Sequence, residues 1–183
     1  MASPAYPLTT RLRDGTAVIV DEADLAPLVQ AAIAKAEASG ARVILLLCAG
    51  GFEGAKSDRP LVRPFDAAMA RLRAMHARRI QVVVPFAGQA EAAARKWRSA
   101  GFDPVTIVGD PAGLASSQAG THSSAPSSPA FDALVLDYVG HPSATVQRLR
   151  ARTTVPLVDL GECGADAAAH QIGDDPAART SGA

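Results

Sequence analysis

Residues 43–52 read V-I-L-L-L-C-A-G-G-F, an apolar run that ends at a cysteine and a glycine-rich turn. A short run that is apolar at consecutive rather than alternate positions is typical of a parallel strand covered by helices on both faces. The pattern predicts a sheet of mostly parallel strands, with 43–47 as one of them. Comparable runs occur at residues 17–20, 80–84, 105–108, 133–136 and 156–158.

Alanine-rich stretches with helical spacing separate these runs. A first helix is predicted to begin at Asp24, as its N-cap, and to end at Gly40. Asp14-Gly15 predicts a turn between two short extended pieces. The alternation of strands and helices indicates an α/β fold with a parallel sheet flanked by helices. The other helices are predicted at residues 65–76, 89–100, 143–150 and 165–170.

The composition excludes several classes of function. The 183 residues carry 18 basic and 18 acidic side chains, a balance that favours neither nucleic acid nor an anionic membrane as a partner. Residues 1–15 contain no apolar stretch of a signal peptide, and the longest apolar run is far shorter than a membrane span. We therefore expect a cytoplasmic protein in which Cys48 and Cys163 are thiols rather than a disulfide.

Residues that follow the strands are the candidates for chemistry, because ligands of open α/β sheets bind beyond the carboxyl ends of the strands. Cys48 ends the first run, and N–H groups of the next turn can stabilise a thiolate or a substrate carboxylate. Spacing alone favours the alternative, a small buried thiol that packs at a strand end. Tyr138 and His141 follow the run at 133–136 and can each donate a proton. The alternative is a space-filling ring and a histidine in a solvated turn.

The sequence also lacks the common motifs of hydrolases and metal sites. It contains no H-E-x-x-H or C-x-x-C motif and no Ser-His-Asp order. A metal site therefore has no support from the sequence.

Several short segments match, in the correct order, the motifs of one known protein family. Residues 10–15 read T-R-L-R-D-G, as in the family, and 46–52 read L-L-C-A-G-G-F, which is similar to its L-L-C-T-G-x-F. Residues 135–140 read V-L-D-Y-V-G and resemble V-L-D-C-M-G. The V-V-V-P segment at 82–85, K-W at 96–97, G-F-D at 101–103 and V-P-L-V at 155–158 also match. These segments resemble those of the AroM family, and the likeness covers nearly the whole chain before its tail.

The resemblance implies membership of the aspartate/glutamate/hydantoin racemase superfamily. Its fold has Rossmann-like parallel sheets flanked by helices, in two pseudo-symmetric lobes that face each other across a cleft. In active members each lobe supplies one cysteine. One thiolate removes an α-proton, and the other thiol returns a proton to the opposite face. This chemistry needs no cofactor and no metal. Carried over, the catalytic positions are Cys48 and Tyr138, and those expected to bind a small carboxylate are Ala49, Gly50, Gly51, Phe52, Pro85, Gly140 and His141.

The same resemblance divides the chain into lobes. Residues 1–77 with 153–172 are expected to form the first lobe, and residues 78–152 the second. The second lobe is expected to carry a flexible Ser/Pro-rich loop at 111–130, and a disordered tail is expected at 173–183. The family's first strand has no counterpart, so we expect a chain shortened at its N-terminus with an incomplete first lobe. A sheet edge left unpaired in this way is one reason to expect a homo-oligomer.

Departures from the family pattern concern the site. The second cysteine is Tyr138, and the threonine after the first cysteine is Ala49. Tyrosine, with a pKa near ~10, is a poorer base at neutral pH than cysteine, near ~8.5. We therefore expect a racemase-like protein that acts on a small carboxylate with impaired catalysis; the alternative is a non-catalytic small-molecule-binding member. Cys163 is not expected to replace the lost thiol, because it should follow a closing strand of the first lobe, on a mobile loop.

Overall fold

A computed structural model describes residues 6–116 and 131–174. Residues 1–5, 117–130 and 175–183 lie outside the described part of the chain. Most of the loop expected at 111–130 and of the tail expected at 173–183 falls in these segments.

The described chain begins with an antiparallel hairpin of β1 (Pro7–Arg11) and β2 (Ala17–Asp21). Gly15 has a φ of +88°, which glycine adopts without strain, and its N–H donates to the Leu12 carbonyl at 2.9 Å. The predicted Asp14-Gly15 turn is therefore confirmed. The grouping of 17–20 with the parallel strands is wrong, because such a tight turn joins only antiparallel neighbours.

The first helix follows the hairpin directly and begins earlier than predicted. Asp21, not Asp24, is its N-cap, and the Asp21 side chain accepts from the Ala23 N–H at 3.0 Å. The helix is α1 (Glu22–Ala38), and the chain continues through β3 (Ile44–Leu45), β4 (Leu61–Val62) and α2 (Pro64–Ala74).

Strands β3 and β4 pair in parallel. The strand predicted at 43–47 therefore exists, but it is shorter than its apolar run. Strand β4 was not predicted, because its two residues lie between Pro60 and Pro64 and show no strand pattern of their own.

Four parallel strands form the main sheet. They are β5 (Arg79–Val84), β6 (Asp103–Val108), β7 (Ala133–Leu136) and β8 (Leu157–Asp159), in the spatial order β6-β5-β7-β8. The parallel strands predicted at 80–84, 105–108, 133–136 and 156–158 are confirmed. The helices around them are α3 (Ala87–Ser99), α4 (Pro111–Ser116), α5 (Ser143–Arg150) and α6 (Leu160–Asp174).

Helices cover both faces of the main sheet, which confirms the α/β class. On one face α2, α3 and α6 pack around the fully buried Trp97, whose ring meets those of Phe65 and Phe102 edge-on at 4.7 and 5.6 Å. On the other face α4 and α5 pack against alternate residues of the same strands, including Leu134 and Leu136. Among the described helices, none is long and apolar enough to cross a membrane.

The closing strand is placed differently from the prediction. β8 pairs with β7 and so joins the main sheet rather than the first lobe. The connection through α5 is a short crossover, which places the next parallel strand beside the previous one. It is α6 that returns to the first part of the chain: a Cβ on its Gly164 would lie 3.0 Å from Leu45 and Pro64. Cys163 consequently lies inside a helix and not on a mobile loop.

The start of the expected loop at 111–130 is also helical. Asp110 Oδ1 accepts from the Ala112 and Gly113 N–H groups, both at 2.9 Å, and so caps α4. An aspartate before a proline at the first helical position is a helix-start signal that outweighed the Ser/Pro-rich composition.

Burial at two leucines gives a matched test of this packing. Leu72 on α2 is fully buried, whereas Leu28 on α1 keeps 66% of its surface exposed. Leu72→Ala is expected to lower the free energy of unfolding by about 2–5 kcal/mol, because it removes buried methyl groups and leaves a cavity. Leu28→Ala should change it by less than about 0.5 kcal/mol. Urea unfolding followed by circular dichroism measures both, and equal losses would contradict the described exposure of Leu28.

Candidate functional site

Cys48 and Tyr138 lie where the prediction placed them along the chain. Cys48 follows the carboxyl end of β3, and Tyr138 follows the carboxyl end of β7. Each is adjacent to a residue that binds one shared lysine.

Lys96 on α3 joins the two loops. Its Nζ donates to the Ala49 carbonyl at 2.9 Å and to Asp137 Oδ1 at 2.7 Å. The Lys96 side chain is 12% exposed, and that of Asp137 is fully buried. The ammonium therefore ties the neighbours of both expected catalytic positions together.

Aromatic rings surround this ammonium. The Lys96 Nζ lies 5.1 Å from the ring centroid of Tyr6, 4.7 Å from that of Phe65 and 5.7 Å from that of Trp97. The electron-rich faces of such rings stabilise a partly desolvated cation. Burial raises the pKa of Asp137, and the Lys96 ammonium opposes that rise.

The loop after Cys48 holds a carboxylate, that of Glu22. The Gly51 N–H donates to Glu22 Oε2 at 3.1 Å, and the Phe52 N–H donates to Oε1 at 2.8 Å. Phe52 has a φ of +41°, a left-handed value found where successive N–H groups form an anion nest. A Cβ on Gly50 would lie 2.7 Å from Glu22 Oε2, so a larger residue at this position would require the Glu22 carboxylate to shift.

The Cys48 thiol lies beside this nest. Its Sγ accepts from the Gly50 N–H at 3.4 Å. Burial raises the thiol pKa above its ordinary value; Glu22 adds to the rise, while the Gly50 N–H and Lys96 oppose it. At neutral pH Cys48 is a protonated thiol, able to donate a proton but poorly able to remove one.

Tyr138 is held by a different set of groups. Its hydroxyl donates to the Gly109 carbonyl at 3.0 Å. Burial raises its pKa, and the carboxylates of Asp110 and Asp159 raise it further. Tyr138 is therefore a neutral phenol whose proton is already bound to a backbone acceptor.

His141 lies against Tyr138, with ring centroids 4.2 Å apart and the rings edge to face. Gly140, which precedes it, has a φ of +96°, and the His141 side chain is only 7% exposed. His141 Nε2 lies 3.8 Å from Asp159 Oδ2. Burial lowers the pKa of His141 and raises that of Asp159, and each partner opposes the shift of the other.

The expected site residues fall into two groups. Ala49, Gly50, Gly51 and Phe52 surround Cys48 with Glu22 and Lys96, and Gly140 and His141 accompany Tyr138. Pro85 is half-buried and follows β5. Among the described contacts, none joins the Cys48 thiol to the Tyr138 hydroxyl. That both side chains face one cleft stays a prediction.

A cavity of about 1320 Å³ opens beside the carboxylate nest. Cys48 and Tyr138 are not among the residues that line it. Among the lining residues that the sequence analysis did not place in the site are Tyr6, Glu22 and Lys96. Lys96 was within a quoted motif, whereas nothing local to Tyr6 or Glu22 indicated a role.

Cys163 is buried with the core side chains between the main sheet and its helices. Burial raises its pKa to about 11. Within the described residues, no group of three or more His, Cys, Asp or Glu side chains is placed to hold a metal ion.

The Lys96–Asp137 pair gives a pH-dependent prediction. Lys96→Met is expected to lower the free energy of unfolding by about 3–5 kcal/mol at neutral pH, because Asp137 stays buried without its counter-ion. Since the folded-state pKa of Asp137 is raised, the folded variant binds a proton more readily than the unfolded chain. The deficit relative to the unsubstituted protein should therefore shrink as the pH falls through this raised pKa.

Urea unfolding at several pH values between about 7 and 4.5 measures this deficit. Lys35→Met, the same change at an exposed position of α1, is the matched control and should have little effect. A Lys96→Met deficit that stays constant with pH would show that Asp137 is not its source.

Comparison with known proteins identifies proteins of similar fold and the family of this chain. Unliganded arylmalonate decarboxylase is similar, with a TM-score of 0.63 and 18% identity over 92% of this chain and 80% of that chain. The maleate isomerase Iso from Pseudomonas putida is also similar, with a TM-score of 0.64 and 17% identity over 81% and 73% of the two chains. Both belong to the aspartate/glutamate racemase-like superfamily. A search of curated proteins gave no match. The model of the AroM protein family matches residues 2–165, and the chain therefore belongs to the AroM family.

Proposed function

We propose that this chain binds a small carboxylate beside Cys48 and is impaired in the two-sided proton transfer of a racemase. The observation that carries the proposal is the carboxylate of Glu22 on the Gly51 and Phe52 N–H groups. Two N–H groups that hold one carboxylate with both oxygens can hold another of the same shape. A ligand carboxylate would therefore take the place of Glu22.

The surroundings of the nest suit this exchange. Glu22, Gly51 and Phe52 all line the 1320 Å³ cavity, so a ligand can reach the N–H groups from it. Hydrogen bonds to a charged acceptor contribute about 1.5–3 kcal/mol each. Glu22 competes for these bonds from within the chain, so the apparent affinity for a ligand is lower than the nest alone would provide.

The related structures support the choice of ligand class. Arylmalonate and maleate, which appear in the names of the two similar proteins, are both small carboxylates. Because the sequence identity to both proteins is low, we extend only the ligand class to this chain and not a particular compound.

Proton transfer on both faces of a carbon requires one group that removes a proton and another that returns it. The raised pKa of Cys48 keeps that thiol protonated, and the Tyr138 hydroxyl is bound to the Gly109 carbonyl. Neither group is a competent base at neutral pH. The site can thus donate a proton from Cys48, while the removal step lacks a group to perform it.

Glu22→Ala tests the carboxylate site. Removing the internal competitor is expected to raise the affinity for propionate by about tenfold or more, since each 1.4 kcal/mol changes affinity tenfold. Isothermal titration calorimetry measures the affinity. Glu91→Ala, the same change at a solvent-exposed ion pair on α3, is the matched control and should leave it unchanged. If propionate bound to none of the three proteins (unsubstituted, Glu22→Ala and Glu91→Ala), this site would be ruled out.

Proton exchange into heavy water tests the impairment. The unsubstituted protein is expected to exchange the α-protons of 2-amino and 2-hydroxy acids no faster than buffer does, because neither candidate group is ionised. Tyr138→Cys should introduce exchange, which NMR detects as loss of the α-proton signal. Adding Cys48→Ala should slow that exchange, because the thiol that returns a proton is lost, and adding Cys163→Ala should not. Exchange that depends on Cys163 instead would show that the assignment is wrong.

A further inference from the structure

The Tyr6 hydroxyl is a buried donor at the edge of the cavity. Its oxygen has no hydrogen-bond partner among the described residues. The Tyr6 carbonyl accepts from the Glu22 N–H at 3.1 Å, which fixes the tyrosine beside the residue that fills the nest. Tyr6 lines the same cavity as Glu22, Gly51 and Phe52.

Burial and nearby carboxylates keep the Tyr6 hydroxyl protonated. Burial raises its pKa far above the ordinary value, and Asp137 and Glu22 raise it further. A phenol in such surroundings donates a hydrogen bond to an uncharged or anionic oxygen.

A buried acceptor lies next to this donor. The Gln89 side chain lies within hydrogen-bonding reach of the Tyr6 hydroxyl and opposes the rise of the Tyr6 pKa. Gln89 is 2% exposed, and its Oε1 has no hydrogen-bond partner among the described residues. Buried polar atoms without hydrogen-bond partners destabilise the folded protein. One ligand hydroxyl satisfies both, because it accepts from the Tyr6 hydroxyl and donates to Gln89 Oε1.

We propose that Tyr6 and Gln89 form a hydroxyl-binding subsite and that the ligand is a small 2-hydroxy carboxylate. This inference rests on the proposed carboxylate site. The carboxylate of the ligand binds the Gly51 and Phe52 N–H groups, and its 2-hydroxyl lies between Tyr6 and Gln89. A 2-amino acid fits less well, because an ammonium group cannot accept from Tyr6. In this arrangement Tyr6, and not Tyr138, is the tyrosine that recognises the ligand.

The test compares lactate, as either enantiomer, with propionate, which differs only by the hydroxyl. Calorimetry is carried out on the Glu22→Ala protein, whose nest is free. The better enantiomer of lactate is expected to bind about tenfold more tightly than propionate, the effect of one or two buried hydrogen bonds. Tyr6→Phe in this protein should abolish the preference and leave the propionate affinity within about twofold. Gln89→Met is a second variant that should reduce the preference, and thermal unfolding checks that each variant is folded.

The outcomes separate this inference from the proposed function. Binding of propionate without a preference for lactate upholds the carboxylate site and overturns the hydroxyl subsite. A preference that survives Tyr6→Phe, or one that is lost in Tyr138→Phe instead, also overturns it. No binding of either ligand means that the proposed function and this inference both fail.

Discussion

The site depends on the hydrogen bonds of one buried ammonium group, that of Lys96. It bonds to the Ala49 carbonyl at 2.9 Å and to Asp137 at 2.7 Å, and so spans the loops that follow β3 and β7. A buried charge pair seldom adds stability, because desolvation offsets most of its attraction. Its value here is positional: removing either partner leaves an unpaired buried charge, so the two loops are held in one arrangement.

Because the loop after β3 is held at Ala49, the N–H groups of Gly51 and Phe52 meet Glu22 at the start of α1. The carboxylate position that a ligand would occupy is thereby filled from within the chain. Tyr138 lies on the other side of the lysine with its own partners, Gly109, His141 and Asp159. The two expected catalytic positions are thus linked through their neighbours, while their reactive atoms contact different groups.

Much of the fold could be predicted from the sequence, because its signals are local. Continuous apolar runs indicated the parallel strands of the main sheet, and Asp14-Gly15 indicated the hairpin turn. The predictions failed where contacts between distant parts of the chain determine the structure. The two-residue strand β4 exists only because β3 lies beside it, and β8 joins β7 rather than the first lobe. Of the site, the resemblance indicated the loop at Cys48, but Glu22 is 29 residues from its partner Gly51, and no local pattern connects them.

The most direct measurement of the central claim is the amide NMR spectrum of Gly51 and Phe52. In the unsubstituted protein, both amide protons should show the downfield shifts of N–H groups bonded to a carboxylate, and Glu22→Ala should move them upfield. Titrating propionate into that variant should return them downfield at saturation. Unchanged Gly51 and Phe52 resonances throughout, while other residues respond to the ligand, would contradict a carboxylate site at this loop.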